Sequence, residues 1–284
     1  MLKQKLFKKT LFFTSLILLI LVSLFFYVTI FEPNNLKKTY VIIETEKYST
    51  LFHPIKIIHL TDFHIDKIGY RERKVLKIVK EEEPDMILLS GDYLNNRDKL
   101  LELESYIHQL VLIAPTYFTL GNWDNVKIFR ALKKAGAISV FEKDKLVSLK
   151  NFKVNIFSIE MPWSFKSFEI EEKHFLEIFK GSQKTFSLFL IHTPDHFPVA
   201  VKYEIDLVLA GHTHGGQFRL PFFGSRFKYS KFGKKYESGI FYDGQSCMYV
   251  NRGIGMTGNV RYRMRSLCPP EILIITIKPK KKLN

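Results

Sequence analysis

The chain has 284 residues, of which 46% are hydrophobic and 14% aromatic, so burying a sizeable core presents no difficulty. Lys and Arg number 43 and Asp and Glu 28, an excess of 15 positive charges, which favours an anionic partner or surface. This excess does not distinguish phosphorylated substrates, anionic lipid and nucleic acid. The two cysteines, Cys247 and Cys268, are too few for a disulfide framework and indicate no redox compartment.

An apolar run near the N-terminus, residues 11–31, contains no charged side chain. As a helix rising about 1.5 Å per residue, it spans roughly 30 Å, the thickness of the hydrocarbon core of a bilayer. A cleaved signal peptide is the alternative, but its apolar region is usually shorter and ends in small residues. Here that end is aromatic, with Phe25, Phe26, Tyr27 and Phe31. We therefore predict a single transmembrane anchor at 11–31.

Charges on either side of this run bear on its orientation. The basic flank at 1–10 has four lysines, which predicts a cytoplasmic N-terminus and places the rest of the chain, after residue 31, on the other side of the membrane. Two lysines, Lys37 and Lys38, also follow the run, so the orientation stays open. Residues 32–50 are expected to form a linker, and 51–284 one domain.

Strand and helix signals alternate along that domain. Short apolar runs predict strands, at 55–60, 86–89, 116–120, 152–159, 186–191, 207–210, 240–242, 248–250 and 272–277. Amphipathic stretches predict helices at 70–83, 99–112 and 125–135. The first helix is expected to stop at Pro84, and Gly136 is the expected C-cap of the third. The order predicts an α/β fold.

Polar side chains recur just after the apolar runs. They are Asp62, His64, Asp92, Asn122, His192, His212 and His214. Imidazole and carboxylate ligands suit zinc, manganese or iron, and a carboxylate can bridge two ions. Because ligands bind at the carboxyl ends of strands in open α/β sheets, these side chains are expected to converge. The sequence therefore predicts a site for two divalent cations.

Local spacing supports that prediction. Asp62 and His64 are two residues apart, as are His212 and His214, so in an extended backbone each pair points to one side. A glycine precedes three of the candidates, where the missing Cβ permits tight turns and close approach of the backbone. These are Gly91, Gly121 and Gly211.

The order and types of these residues resemble the calcineurin-like metallophosphoesterase superfamily, over 55–277. The resemblance implies a sandwich of two mixed β-sheets flanked by helices and a metal-dependent phosphoesterase or pyrophosphatase activity. It assigns four ligands to a first metal: Asp62, His64, Asp92 and His214. It assigns four to a second, with Asp92 bridging: Asp92, Asn122, His192 and His212. A metal pair activates water and clamps the attacking and leaving oxygens of a phosphoryl displacement.

The C-terminal part narrows the resemblance. The motifs 211–217, 249–255 and 268–271 are similar to those of the bacterial membrane-associated branch, which includes a UDP-2,3-diacylglucosamine pyrophosphatase of lipid A synthesis. The resemblance implies a lipid-linked pyrophosphate as the substrate, and the inner (cytoplasmic) membrane of a bacterium as the location and partner. The orientation predicted above disagrees with this substrate, because it places the domain outside the cytoplasm, whereas the nucleotide headgroup of the substrate is made on the cytoplasmic side.

One residue of this chain departs from a sequence motif of the superfamily. That motif usually reads Gly-Asn-His followed by Asp or Glu, and that His assists the leaving group or the phosphate. This chain has Trp123 there, and an indole cannot shuttle a proton near neutral pH. Either the leaving group needs little protonation or another residue substitutes. Arg252 either contacts the substrate phosphate or forms a structural ion pair, and Asp124 either orients the site or caps the following helix.

Other interpretations of the chain differ in class. A nuclease or general phosphodiesterase of the same superfamily would share the metal site, but the basic residues form no aromatic-interleaved patch, which argues against nucleic acid. A non-catalytic, membrane-anchored metal-binding scaffold is suggested by Trp123. His59, within a strand, is expected in the core or behind the ligands, and His53, His108, His174 and His196 at structural or surface positions. Trp163 and the pair Phe222–Phe223 either face acyl chains or pack in the core.

Overall fold

The computed structural model describes residues 2–47, 53–140, 145–150, 152–159, 185–225, 229–258 and 263–280. Helices α1–α5 are Leu2–Phe26, Tyr70–Glu82, Leu100–Val111, Val126–Lys134 and Phe197–Lys202. Strands β1–β7 are Lys37–Thr45, Ile55–Leu60, Met86–Ser90, Thr116–Thr119, Ile138–Ser139, Lys145–Leu149 and Phe152–Phe157. Strands β8–β14 are Phe186–Leu190, Leu207–Ala210, Arg219–Leu220, Gly224–Ser225, Gly239–Asp243, Ser246–Val250 and Glu271–Pro279.

The first of two mixed sheets has the strand order β1-β14-β2-β3-β4-β5. Strands β2 to β5 are parallel, β14 is antiparallel to β2, and β1 is parallel to β14. Strand β3 is buried along its whole length, as expected for a strand covered on both faces. Helices α2, α3 and α4 cover one face, with side chains such as Val79, Ile107 and Leu132 in its core.

The second sheet has the order β12-β13-β9-β8-β7-β6, with β7, β8, β9 and β13 parallel and the two outer strands antiparallel. The sheets pack face to face through Ile57 and Leu88 of the first and Leu188 and Leu209 of the second. Helix α5 covers the outer face of the second sheet, where Phe197 is buried. This architecture confirms the expected sandwich of two mixed sheets flanked by helices.

Helix ends follow local chemistry. The backbone N–H of Gly69 donates to the Glu72 carboxylate at the start of α2, and Glu83 adopts a left-handed φ of 48° just before Pro84. The side chain of Asn125 accepts hydrogen bonds from two backbone N–H groups and caps α4. The strands and helices predicted above are confirmed to within two residues or so. The short strands β5, β6, β10 and β11, together with α5, were not predicted.

The segment expected to be a linker contains a strand of the first sheet. Strand β1 pairs with β14 in a continuous register, from Lys37 opposite Glu271 to Thr45 opposite Pro279. The alternation of exposed and buried positions along β1 is that of an edge strand rather than a free tether. The domain boundaries themselves stay a prediction.

The N-terminal helix α1 continues through a π-helical turn, Tyr27–Phe31, and a short turn, Glu32–Asn34. The stretch Lys3–Asn34 is long and apolar enough to cross a membrane, and 6% of its most apolar window is buried. A signal sequence shows the same pattern. Within the described residues, the end of this stretch contacts the domain: Val28 and Glu32 are buried.

Candidate metal centre

Seven candidate ligands lie in loops at the carboxyl ends of the parallel strands. Some come from the first sheet, after β2, β3 and β4, and the rest from the second sheet, after β8 and β9: Asp62, His64, Asp92, Asn122, His192, His212 and His214. The two sheets thus bring their loops to one edge of the sandwich. All these side chains are buried except those of Asn122 and His212, which are partly buried.

The first group contains Asp62, His64 and His214, whose candidate ligand atoms all lie within 4.8 Å of one another. The Nε2 atoms of His64 and His214 are 3.2 Å apart. Asp62 Oδ1 is 3.3 Å from His214 Nε2. The structure therefore brings together three of the four residues that the resemblance implies for one metal.

The second group contains Asp92, His192 and His212, again within 4.8 Å. His212 Nδ1 is 3.1 Å from His192 Nε2. Asn122 joins this group through its Oδ1, which is 3.0 Å from the same His192 nitrogen.

Asp92 lies between the two groups. Its Oδ2 is 3.5 Å from His64 Nε2, in the first group, and 3.2 Å from His192 Nε2, in the second. Its other oxygen, Oδ1, accepts a hydrogen bond of 2.8 Å from the backbone N–H of Trp123. One carboxylate oxygen thus faces both groups while the rest of the side chain is held in place. This position suits a carboxylate shared by two ions.

Hydrogen bonds behind the imidazoles fix their tautomers. His64 Nδ1 is 2.9 Å from Asn95 Oδ1, His192 Nδ1 2.8 Å from the Ser90 carbonyl, and His212 Nε2 3.0 Å from the Tyr229 carbonyl. Each of those oxygens accepts, so the ring nitrogen facing it carries the proton. The opposite nitrogen then presents a lone pair to the cluster, as metal-binding histidines require.

These lone pairs test whether divalent cations fit. The facing ring nitrogens of His192 and His212 are 3.1 Å apart and those of His64 and His214 are 3.2 Å apart, so a proton or a cation near each pair offsets the repulsion between their lone pairs. Asp62 Oδ1, fully buried, has no hydrogen-bond partner among the described residues, although a buried carboxylate oxygen without a partner is costly. The nitrogen and oxygen donors match the preferences of zinc, manganese and iron. The residues present fit a pair of such ions.

Burial and mutual charge shift the acid–base behaviour of the cluster. Burial lowers the pKa of His64 and of His212 to about 4, which keeps both rings neutral at pH 7. Burial also acts on His192, but the Asp92 carboxylate outweighs it and raises the pKa of His192 to about 10, so the His192 nitrogen that faces the cluster strongly attracts a positive charge, either a proton or a cation that replaces it. Burial opposes ionisation of Asp62, yet the histidines, led by His214, hold its pKa well below the usual range. The carboxylates are therefore charged.

The backbone of the ligand loops is not extended. Five candidate ligands have left-handed φ angles: Asp62 (50°), His64 (42°), Asp92 (57°), His212 (69°) and His214 (51°). The expectation that an extended backbone makes each pair point to one side is therefore wrong. Asp62 and His64 do share a group, but His212 and His214 lie in different groups. Left-handed conformations of residues other than glycine cost energy and concentrate at functional sites.

Two glycines allow the loops to approach the carboxylates. A Cβ at Gly121 would lie 2.2 Å from Asp92 Oδ1, and one at Gly211 would lie 2.3 Å from Asp62 Oδ2. No side chain fits at those distances, so both positions require glycine for close approach, as the sequence predicted. At Gly91, where φ is 101°, the requirement is conformational as well.

Asp124 orients the site rather than capping the helix. Its carboxylate accepts hydrogen bonds from the backbone N–H groups of Asp92, Tyr93 and Gly121. Burial, reinforced by the charge of Asp92, raises the pKa of Asp124 to about 7. The cap of α4 is Asn125, so the two functions that the sequence left open belong to neighbouring residues.

Trp123 and Arg252 flank the cluster. The Trp123 side chain is 41% exposed and its ring meets that of His64 edge to face, with centroids 5.8 Å apart. Arg252 donates from Nε to the buried Glu271 carboxylate at 3.2 Å, and its stem approaches Gly215. The structural ion pair of Arg252 is thus present, its contact with substrate phosphate stays a prediction, and so does a catalytic role for Trp123.

The remaining histidines lie outside the two groups. His59 is buried in β2, where its Nε2 is 2.8 Å from Ser90 Oγ, and burial lowers its pKa to about 3. This agrees with a place behind the ligands. His108 contacts the Ala135 carbonyl, and His196 is buried beside α5. Trp163 and His174 lie outside the described residues.

Some residues that shape the site were not predicted. Asn95 orients His64 and donates to the backbone carbonyls of His64 and Met256. Arg265, fully buried, donates to carbonyls of the loop that packs on Asp62, those of Arg252, Gly253 and Gly255. Neither residue has a motif around it, so only the folded structure shows what it contacts.

A model of the calcineurin-like phosphoesterase family matches residues 55–216. YkuE of Bacillus subtilis, an uncharacterized metallophosphoesterase, is 30% identical over 89% of this chain and 89% of its own length. The phosphodiesterase YaeI of Escherichia coli is 29% identical over 79% of this chain and 82% of its own length. The crystal structure of TT1561 from Thermus thermophilus covers 72% of this chain and 92% of that protein with a TM-score of 0.51 at 13% identity, which shows a shared fold.

Proposed function

This chain belongs to the calcineurin-like phosphoesterase family, and we propose that it is a dinuclear-metal phosphohydrolase that cleaves phosphodiesters or pyrophosphates at a membrane surface. The observation that carries the proposal is the position of Asp92, whose Oδ2 lies within 3.5 Å of a histidine nitrogen from each of the two ligand groups. A single carboxylate between two sets of imidazoles is an arrangement for two cations, not one.

The two groups of side chains support the proposed ligand sets. One ion would be held by Asp62, His64, Asp92 and His214, and the other by Asp92, Asn122, His192 and His212. Manganese, zinc and iron all suit these ligands. When bound, such a pair activates water at neutral pH and neutralises the negative charge of the phosphoryl group.

The chain's own residues supply orientation and charge. Asn95 and the carbonyls of Ser90 and Tyr229 keep three imidazoles in the tautomer that binds metal. Arg252, held by Glu271, adds a positive charge for the equatorial oxygens of the substrate. Trp123 presents an aromatic face and an N–H beside His64, but transfers no proton.

The tryptophan favours substrates whose leaving group needs little protonation. A nucleoside monophosphate released from a pyrophosphate is such a group, and so is an aryl alcohol. The E. coli relative is named a phosphodiesterase, which supports diester cleavage. Because of the tryptophan and the resemblance of the C-terminal motifs, we place lipid-linked pyrophosphates first, with UDP-2,3-diacylglucosamine as the specific candidate. Simple phosphodiesters come second.

Membrane attachment is part of the proposal. The apolar window of the N-terminal helix exposes its side chains almost throughout, as a helix surrounded by lipid would. A removed signal sequence would instead leave the domain without an anchor. Mass spectrometry of the mature protein from membranes distinguishes the two: an intact N-terminus supports the anchor, and a start after residue 31 rejects it.

A substrate screen on the detergent-solubilised chain tests the activity. We expect turnover of bis(p-nitrophenyl) phosphate with added Mn²⁺, loss on chelation, and faster turnover of UDP-2,3-diacylglucosamine. Asn122→Ala and His214→Ala should each lose activity, while Lys77→Ala, which changes an exposed ion pair on α2, should not. A folded, metal-loaded protein with no turnover of any phosphodiester or pyrophosphate would reject the enzyme and favour the scaffold.

A further inference from the structure

A two-stranded hairpin next to the metal centre carries an exposed aromatic tip. Strands β10 and β11 pair through Arg219–Ser225 and Leu220–Gly224, and Pro221, Phe222 and Phe223 connect them. The Phe222 side chain is fully exposed and that of Phe223 is 78% exposed. Two adjacent phenylalanines in water are unfavourable, because each leaves a large apolar area unburied. Burial of the tip against an apolar partner would therefore be favourable.

A lysine-rich segment contacts this tip through one of its lysines. Lys231, Lys234 and Lys235 are exposed on the segment that follows the hairpin, and Lys234 Nζ lies 3.5 Å from the Phe223 carbonyl. Aromatic side chains bordered by lysines match the interface of an anionic bilayer, where rings enter the headgroup layer and ammonium groups bind lipid phosphates. A purely apolar protein partner would gain nothing from the lysines.

The hairpin is bonded to the same short segment as the end of the N-terminal helix. The backbone N–H of Arg265 donates to the Val28 carbonyl at 3.0 Å. Its neighbour Ser266 accepts from the Arg219 N–H at 2.9 Å and donates from Oγ to the Arg219 carbonyl at 3.0 Å. Leu267, the next residue, is 51% exposed. The end of the apolar helix is thus bonded to Arg265, and the base of the hairpin is bonded to the next residue, Ser266.

This connection determines how far the hairpin tip extends from the end of the apolar helix. The tip is two or three residues from the hairpin base, so at about 3.3 Å per residue it extends up to roughly 10 Å from Ser266. If the helix spans the bilayer, residue 28 lies near the membrane surface, and a projection of that length can reach the headgroups. Helix, Leu267 and hairpin tip then contact one membrane surface together.

The hairpin also leads directly to the metal ligands. It follows the loop of His212 and His214, and Arg219 donates from Nη1 to the Gly215 carbonyl at 3.2 Å. Ser225 Oγ donates to the Gly216 carbonyl at 3.5 Å. A tip fixed in the membrane therefore fixes the height of the metal centre above it.

We propose that the Phe222–Phe223 tip is a second membrane contact, which enters an anionic bilayer beside the N-terminal helix and holds the metal centre at the level of the lipid phosphates. This inference rests on the membrane attachment proposed above, and it makes a phosphate in a lipid headgroup the substrate that the centre reaches. It does not depend on which lipid is cleaved.

The test places a fluorophore at the tip. Phe223→Cys is labelled with an environment-sensitive probe on the full chain, since Cys247 and Cys268 are buried, and reconstituted into phosphatidylcholine–phosphatidylglycerol vesicles. Leu112→Cys is the matched control: it is 72% exposed and precedes β4, at the opposite edge of the sheet. We expect nitroxide-labelled lipids to quench the tip probe several-fold more than the control, and aqueous iodide to quench it less.

The other outcomes overturn the inference in different ways. Equal quenching at both positions by lipid and by iodide means that the tip stays in water, although the chain is anchored. A tip shielded from iodide but not quenched by lipid is covered by protein, such as a second copy of the chain. A chain that fails to float with the vesicles rejects the anchor as well.

A double variant, Phe222→Ser with Phe223→Ser, provides a second test. Its melting temperature should equal that of wild type, because neither ring is buried, and its cleavage of vesicle-borne substrate should be slower.

Discussion

The carboxylate of Asp124 accepts a hydrogen bond of 2.8 Å from the backbone N–H of Asp92. The same carboxylate accepts from the N–H groups of Tyr93 and Gly121. Asp124 thus joins the loop after β3 to the loop after β4, and these loops carry Asp92 and Asn122. A residue outside the ligand set therefore determines the relative position of two ligands.

Asp124→Asn should weaken this connection. An amide has one oxygen to accept with, so at least one buried N–H loses its partner, at a cost of about 1–3 kcal/mol. We expect a lower free energy of unfolding together with weaker metal binding, measured by chemical denaturation and elemental analysis. The control is Asn125→Ala, which removes the cap of α4 at a cost of about 1 kcal/mol. Equal metal loss in both variants would mean that Asp124 acts only through stability.

Gly121→Ala and Gly211→Ala should disrupt the carboxylates directly. The added Cβ would lie 2.2 Å from Asp92 Oδ1 in the first and 2.3 Å from Asp62 Oδ2 in the second, so the loops must shift. We expect both variants to lose metal and most activity while remaining folded by circular dichroism. Gly69→Ala is the control, since its Cβ meets only the end of the Glu72 side chain, at 3.2 Å. Full activity in either loop variant contradicts the requirement for close approach.

Much of this fold is predictable from local pattern, and the reasons differ between elements. Strands such as β3 are continuous apolar runs with clear ends, and α2 is bounded by Gly69 and Pro84, so their positions follow from the sequence. Strand β1 is stabilised by pairing with β14, more than 200 residues later in the chain. Its sequence does contain a β-prone run at 40–43, but lysines precede that run and glutamates follow it, and the segment directly follows the apolar helix, so it was expected to be a linker.

The candidate site, like the fold, was predictable from the sequence only in part. Ligand types and their places after strands were predictable, because parallel strands bring their carboxyl ends to one edge. The left-handed backbone at Asp62 and His64 was not, since it depends on how the loops pack against each other. Nor were the contacts of Asn95 and Arg265, which join segments that lie apart in sequence.

The end of the N-terminal helix should contribute to the stability of the domain. Glu32 accepts from the backbone N–H of Cys268 at 2.9 Å and from the Tyr27 hydroxyl at 2.7 Å, and Cys268 Sγ contacts the His214 carbonyl at 3.1 Å. A chain that begins at Tyr27 keeps the Glu32 contacts, whereas one that begins at Lys37 loses them. We expect the melting temperature of the shorter chain to be several degrees lower, because a loss of about 1 kcal/mol shifts it by about 2–4 °C. We also expect slower turnover of a soluble diester, because Cys268 contacts the loop of His214. Identical melting curves would show that the segment is a passive tether.

Trp123→His should change the dependence on the leaving group. If the natural leaving group needs no proton, wild type is slow on alkyl diesters, and a histidine should accelerate these by about tenfold, within the range that general acids provide. Aryl diesters and pyrophosphates should change little. Trp123→Phe keeps an aromatic ring and serves as the control, while Trp123→Ala should raise KM more than it lowers kcat if the indole packs on substrate. Equal sensitivity to leaving-group pKa in wild type and Trp123→His means that another residue already supplies the proton.

The metal content of Asp92→Asn tests the central claim most directly. Wild type should bind close to two divalent ions per chain by elemental analysis, and Asn122→Ala should retain about one. Asp92→Asn removes the carboxylate charge that faces both ligand groups, so it should retain neither ion and lose more activity than any change to a one-metal ligand. Two ions retained by Asp92→Asn, or a wild type that carries no stoichiometric metal and is unaffected by chelators, would contradict the account.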